Sequence, residues 1–111
     1  MTTIGKIIGE RIIDFNEEGY LLEPDQWDQA VARLIGQEHD INLLTEAHWQ
    51  IIEFIREFYK QEGKAPGPLE IEQATGFDLR KICNLFPSDL NTAYKMAGLP
   101  KPAMGGVIYL R

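Results

Sequence analysis

Two apolar rhythms divide the chain. Over the first 22 residues, isoleucines gather in short runs, "TIGKII" and "ERIIDF", with Gly9 between them. β-Branched runs of that length, bounded by glycine, predict strands. "NEEG" at 16–19 is a turn signal, and "YLL" behind it predicts a short third strand. A β-hairpin or small meander accounts for this segment.

From Glu23 the period becomes helical. Trp27, Ala30, Val31, Leu34 and Ile35 fall at i, i+3, i+4, i+7 and i+8, which is one apolar face. A helix is therefore predicted over "EPDQWDQAVARLIGQEHD", with Pro24 in its first turn and Asp25 and Asp28 near its positive end. "TEAHWQIIEFIREFYKQEG" is the longest helical stretch. Thr45 is its N-cap, Gly63 its stop, and Ile51, Ile52, Phe54, Ile55, Phe58 and Tyr59 give a face wide enough for the central helix of a domain. After the stiff "KAPGP" come three short helices. "LEIEQATG" ends at Gly76; "FDLRKICNLFP" has Asp78 as cap and Pro87 as stop; "SDLNTAYKMAG" has Ser88 as N-cap and Gly98 as C-cap. Pro100 and Pro102 prevent that last helix from continuing. The elements predict an α+β protein, mainly helical, with the strands first.

Composition narrows the class. The 111 residues are 44% hydrophobic and 25% charged, which is ordinary for one globular domain and unlike a disordered chain. No apolar run approaches the ~18 residues of a membrane span, and the N-terminus lacks a signal-peptide layout, so a cytoplasmic protein without membrane contact is expected. The net charge of −6 is uneven: residues 1–76 sum to −9 and residues 77–111 to +3. The C-terminal third is thus the part suited to an anionic partner.

Candidate chemistry is sparse. His39 and His48 have no third ligand spaced near them, so no metal site and no cofactor is expected, and His48 reads as a surface or boundary residue. Glu17, Glu18, Glu70 and Glu72 read as solvated carboxylates, and no nucleophile–base set or phosphate loop is present. Trp27, Trp49, Phe54 and Phe58 read as core. Cys83 is the single cysteine; at i+4 from Leu79 and i−3 from Phe86 it reads as a buried side chain, and a reactive thiol is the alternative. Residues 69–86 have the rhythm of a helix-turn-helix with Arg80, Lys81 and Asn84 on the second helix, which allows either a DNA-binding regulator or a plain helical hairpin.

Several motifs recur together: "EEGYL", Trp27, "LTEAHWQIIEFIREFY", Ala65–Pro66, "LFP" at 85–87 and "KMAGLPKP". In this order they resemble the DsrC/TusE sulfur-relay family, which includes the gamma subunit of dissimilatory sulfite reductase. The resemblance runs from about Gly19 to Pro102. It implies one domain made of a β-hairpin (1–22), a helical body (23–97) containing the helix-turn-helix-like pair, and a C-terminal arm (98–111). In the family, a cysteine third after the second proline carries sulfur, and the rigid "GLPKP" presents it to a partner. Leu99, Pro100, Lys101 and Pro102 would therefore meet partner proteins of a sulfur-relay or sulfite-reductase system, together with Tyr94, which stands where one branch has an earlier cysteine.

This sequence departs from the family at those places. Gly105 or Gly106 stands in place of the terminal cysteine, and Tyr94 matches the position of the earlier one. The segment after Ala65–Pro66 is shortened, and the tail adds "VIYLR", a β-prone apolar run. The expectation is a family member that binds or regulates without relaying sulfur through its arm. A relay through Cys83 is the third reading, and the 107–111 tail is expected to be anchored on its own domain or to join a second copy as a homo-oligomer.

Overall fold

The computed structural model describes residues 3–87 and 90–100. Its element order is a hairpin, a short 3₁₀ turn and five α-helices: β1 (Thr3–Ile8), β2 (Arg11–Asn16), α1 (Gln29–Glu38), α2 (Glu46–Glu62), α3 (Pro68–Thr75), α4 (Leu79–Leu85) and α5 (Leu90–Met96). The expected α+β architecture, mainly helical with the strands first, is what forms. No helix among the described residues is long and apolar enough to cross a membrane.

β1 and β2 pair antiparallel, from Ile8 opposite Arg11 at the tight Gly9–Glu10 connection to Thr3 opposite Asn16. Alternation sets the faces. Ile13 and Phe15 point into the core, whereas Ile7 and Ile12 point outward. The expected third strand is only an isolated bridge between Phe15 and Leu21. The Asn16 side chain bends the chain there by accepting from the Glu18 and Tyr20 N–H groups, so too few residues remain to extend a ladder.

The first helix starts later than its apolar period implies. Pro24–Gln26 is a 3₁₀ turn, Trp27 is extended, and α1 begins after Asp28. Asp28 wins the N-cap because its carboxylate accepts from the Val31 N–H at 3.1 Å, while Arg11 of β2 binds the same carboxylate at 2.6 Å. Trp27 is thereby freed from the helical face for another use. α2 begins at Thr45 and ends at Gly63, as its caps predict. Val31, Ala32 and Ile35 of α1 and Ile51, Ile52 and Ile55 of α2 form one core with Ile71, Ile82, Phe86, Ala93, Met96 and Ala97. Trp49 and Phe54 line its margin, half-buried.

Candidate functional site

The root of the C-terminal arm is the most elaborately fixed part of the chain. α5 ends in a Schellman motif: the Leu99 N–H donates to the Tyr94 carbonyl at 3.2 Å and the Gly98 N–H to the Lys95 carbonyl at 3.0 Å, with Gly98 left-handed at φ +80°. The carbonyls that such a helix end leaves open are taken by side chains from elsewhere. The Trp27 indole N–H donates to the Met96 carbonyl at 2.8 Å, and Arg56 of α2 donates to the Ala97 carbonyl at 2.9 Å. The Arg56 guanidinium also lies 3.8 Å from the centre of the Trp27 ring. A cation at a helix C-terminus meets the negative end of the dipole, and its stack on indole adds a cation–π attraction. Burial lowers the Arg56 pKa, and arginine nonetheless keeps its charge in proteins.

Of the five residues expected to meet a partner, three are among the described residues. Leu99 and Tyr94 are buried in the isolated chain. The Tyr94 hydroxyl donates to the Pro66 carbonyl at 2.6 Å, which ties α5 to the turn before α3. Pro100 is exposed. Lys101 and Pro102 lie outside the described residues, as do the 107–111 tail and the Ser88 cap. Sequence reasoning missed Trp27 and Arg56. Trp27 was legible only as a large apolar side chain preceding an N-cap aspartate, and Arg56 had no signal, since its partner is 41 residues away.

Two expectations are corrected at α4 and at the start of α2, which packs against it. Cys83 is exposed, not buried. The helix offers two apolar pairs at i, i+4, Leu79 with Cys83 and Ile82 with Phe86, and packing turns the second pair inward while Leu79 stays 46% exposed. Arg80, Lys81 and Asn84 share the solvent side, with the Lys81 ammonium 4.4 Å from the Phe77 ring centre. His48 is buried rather than peripheral. Its Nδ1 accepts from the Thr45 N–H at 3.0 Å, completing a capping box in which histidine replaces the usual glutamate. The proton therefore sits on Nε2, which donates to the Leu85 carbonyl at 2.9 Å and so fastens the end of α4 to the start of α2. Burial lowers the His48 pKa, and the Leu85 carbonyl partly opposes that shift. The signal was Thr45 followed three residues later by a side-chain acceptor.

Chemically, this surface offers one exposed thiol. No group of three or more potential metal ligands exists among the described residues. What the fold does build is a small α+β protein whose last helix is clamped from two sides at its C-terminal end.

A model of the family described as "DsrC like protein" matches residues 7–105. The chain is 37% identical over 99 residues to a "Sulfurtransferase TusE homolog" of Haemophilus influenzae, covering 82% of this chain and 90% of that one. It is also 37% identical over 90 residues to the "Sulfite reductase, dissimilatory-type subunit gamma" of Nitratidesulfovibrio vulgaris, covering 80% and 86%. A chain in the crystal structure of dissimilatory sulfite reductase I superposes with a TM-score of 0.85 at 33% identity, covering 90% of this chain and 97% of that one. The protein belongs to the DsrC family, as the resemblance in its sequence implied. These names concern sulfur transfer and sulfite reduction, and they lend the DNA-binding reading no support.

Proposed function

We propose that this protein docks on the partners of sulfur-relay proteins without passing sulfur through its arm, and so modulates the true carriers. One observation supports this above all: Tyr94, at the position of the family's earlier cysteine, is a buried structural side chain hydrogen-bonded to Pro66. With Gly105 or Gly106 in place of the terminal cysteine, neither position holds a thiol, and only a thiolate is nucleophilic enough to accept and pass on sulfur. The clamped arm root and the "GLPKP" segment keep the means of presentation although the cargo atom is gone.

The test has two arms. Cys83→Ala protein is treated with a persulfide donor and weighed by mass spectrometry; no sulfur should be retained. The full-length chain is then titrated into a transfer reaction between a cysteine-bearing DsrC-type carrier and its sulfurtransferase. Transfer should slow, and a chain lacking 103–111 should not slow it. Sulfur bound by the Cys83→Ala protein, or equal inhibition by the truncated chain, overturns the proposal.

The exposure of Cys83 favours a second reading, relay through that side chain. It requires the unsubstituted protein, treated with the same persulfide donor, to take the donor's outer sulfur onto Cys83 with release of the donor thiol, and to surrender that sulfur to an acceptor thiol.

A further inference from the structure

One edge of the hairpin is covered and the other is open. On β2 the Leu22 N–H donates to the Asp14 carbonyl at 3.0 Å and the Asn16 N–H donates to the Tyr20 carbonyl at 2.8 Å, so residues 20–22 close that edge. In an antiparallel pair, a residue whose backbone groups turn away from the partner strand opposes one that does the same. Gly5 and Thr3, opposite Asp14 and Asn16, therefore turn their N–H and C=O groups outward from β1, and so does Ile7 opposite Ile12. Among the described residues the sheet has only these two strands, so this outer edge is unpaired. Proteins usually guard such an edge with a charge. Lys6 is the one charge on β1, and it lies on the inner face with Ile13. There its ammonium binds the Glu38 carboxylate at 2.6 Å and lies 4.9 Å from the Phe15 ring centre.

The outward face adds apolar surface and a bare stretch of backbone. Ile7 and Ile12 oppose each other and are 75% and 65% exposed. Gly5 stands next to Ile7 on that face, and its φ is not left-handed, so the backbone does not demand a glycine there. Among the described residues a Cβ on Gly5 would meet only Ile12 Cγ2, at 3.2 Å, and Asp14 Oδ1, at 3.6 Å. A glycine inside a strand often marks the place where another backbone approaches closely.

We infer that β1 pairs antiparallel with β1 of a second copy, about a two-fold axis between their Gly5 residues, to make a four-stranded sheet. One register uses every outward group: Gly5 opposes Gly5 of the second copy, and Thr3 opposes its Ile7. The same edge then serves both chains, as an isologous contact requires. The Ile7–Ile12 pairs of the two copies flank the glycine strip from opposite ends, so pairing joins two apolar patches into one face. On the inner face Ile4, 38% exposed, falls beside the Lys6 stem of the second copy. Charge favours this occupant. Residues 3–16 hold two cations, Lys6 and Arg11, and two anions, Glu10 and Asp14, so the whole net charge of −6 lies elsewhere. An acidic chain meets itself with least repulsion at a neutral element. A six-residue edge buries less than the roughly 1,200 Å² of a stable complex, so the pairing is weak and reversible.

The pairing is independent of the function proposed above, and the purified full-length chain tests it. Sedimentation is followed from about 10 μM to about 1 mM, with hydrogen exchange read at the Gly5 and Ile7 amides. The mass should rise toward that of two chains, and both amides should become about tenfold slower to exchange over the same range. Gly5→Lys should weaken association about tenfold or more, because like charges then oppose each other across the axis, and an equimolar mixture with Gly5→Glu should restore it. Circular dichroism checks that each variant folds; Ile7→Lys, at an exposed position, should weaken association likewise and carries the test if Gly5→Lys does not fold. A one-chain mass at every concentration overturns the inference, and so does association that the folded variants leave unchanged or that the mixture fails to restore. Protection of the two amides that is equal at all concentrations overturns it in favour of cover by the same chain. A doubled mass with both amides unprotected overturns it in favour of a different interface.

Discussion

Gly98 and Gly63 both sit at helix ends with left-handed backbones, φ +80° and +74°, yet alanine should be tolerated very differently at the two. At Gly63 an added Cβ meets nothing within 4 Å. The cost is the backbone term alone, roughly 1–2 kcal/mol for a residue with a side chain in that region. At Gly98 the same Cβ would lie 2.5 Å from Trp27 Cδ1 and 3.2 Å from Arg56 Nη1. The indole must move, which gives up its hydrogen bond to Met96, about 0.5–1.5 kcal/mol, and its stack with Arg56, about 0.5–2 kcal/mol. Gly98→Ala should therefore cost about 2–5.5 kcal/mol in total.

Urea titration followed by circular dichroism reads the difference. With a slope of about 1–3 kcal/mol per molar urea, a loss near 3 kcal/mol moves the midpoint by about 1–3 M at unchanged slope. Repeating Gly98→Ala in a Trp27→Ala background closes a double-mutant cycle. There the glycine substitution should cost no more than Gly63→Ala does. If Gly98→Ala is already no worse than Gly63→Ala, or if its cost persists without the indole, then the Trp27 clamp is not what excludes a side chain from the arm root.

Two further outcomes follow from the corrected placements. Cys83, being exposed, should react with a thiol reagent as fast in the native protein as after denaturation, and Cys83→Ser should change stability by no more than about 0.5 kcal/mol; slow native labelling would restore the buried assignment. His48 has a folded pKa below its ordinary 6.5, so the unfolded chain takes up the proton first. Its contribution is complete above 6.5 and is lost as pH falls through the folded value. Urea midpoints should thus drop between about pH 7 and about pH 5 by more in the wild-type chain than in His48→Gln, and parallel profiles would refute the buried neutral imidazole.

The sequence by itself determined the elements and most of their ends. Strand runs, the helical period of α2, and the caps at Thr45, Gly63, Gly76, Asp78 and Gly98 are local signals, since each depends on neighbours within a few residues. The ordered motifs ending in "GLPKP" were likewise legible, and with them the family. A local signal failed where two were in conflict. The apolar period would carry α1 back through Trp27, but Asp28 offers a cap whose carboxylate is shared with Arg11 of β2, and that contact spans 17 residues.

Only the tertiary structure decided which equivalent stripe of a short helix turns inward. On α4, Leu79–Cys83 and Ile82–Phe86 have the same spacing, and the choice came from the T-shaped contact of Phe86 with His48, 5.3 Å between ring centres. Only the fold could also bring Trp27 and Arg56 to the last carbonyls of α5, across 69 and 41 residues. Periodicity reports that a residue is apolar and on which turn it falls; it carries no information about which distant carbonyl lacks a donor. That is fixed when the helix end is buried, because an unpaired carbonyl there is costly and the nearest able side chain must supply the bond.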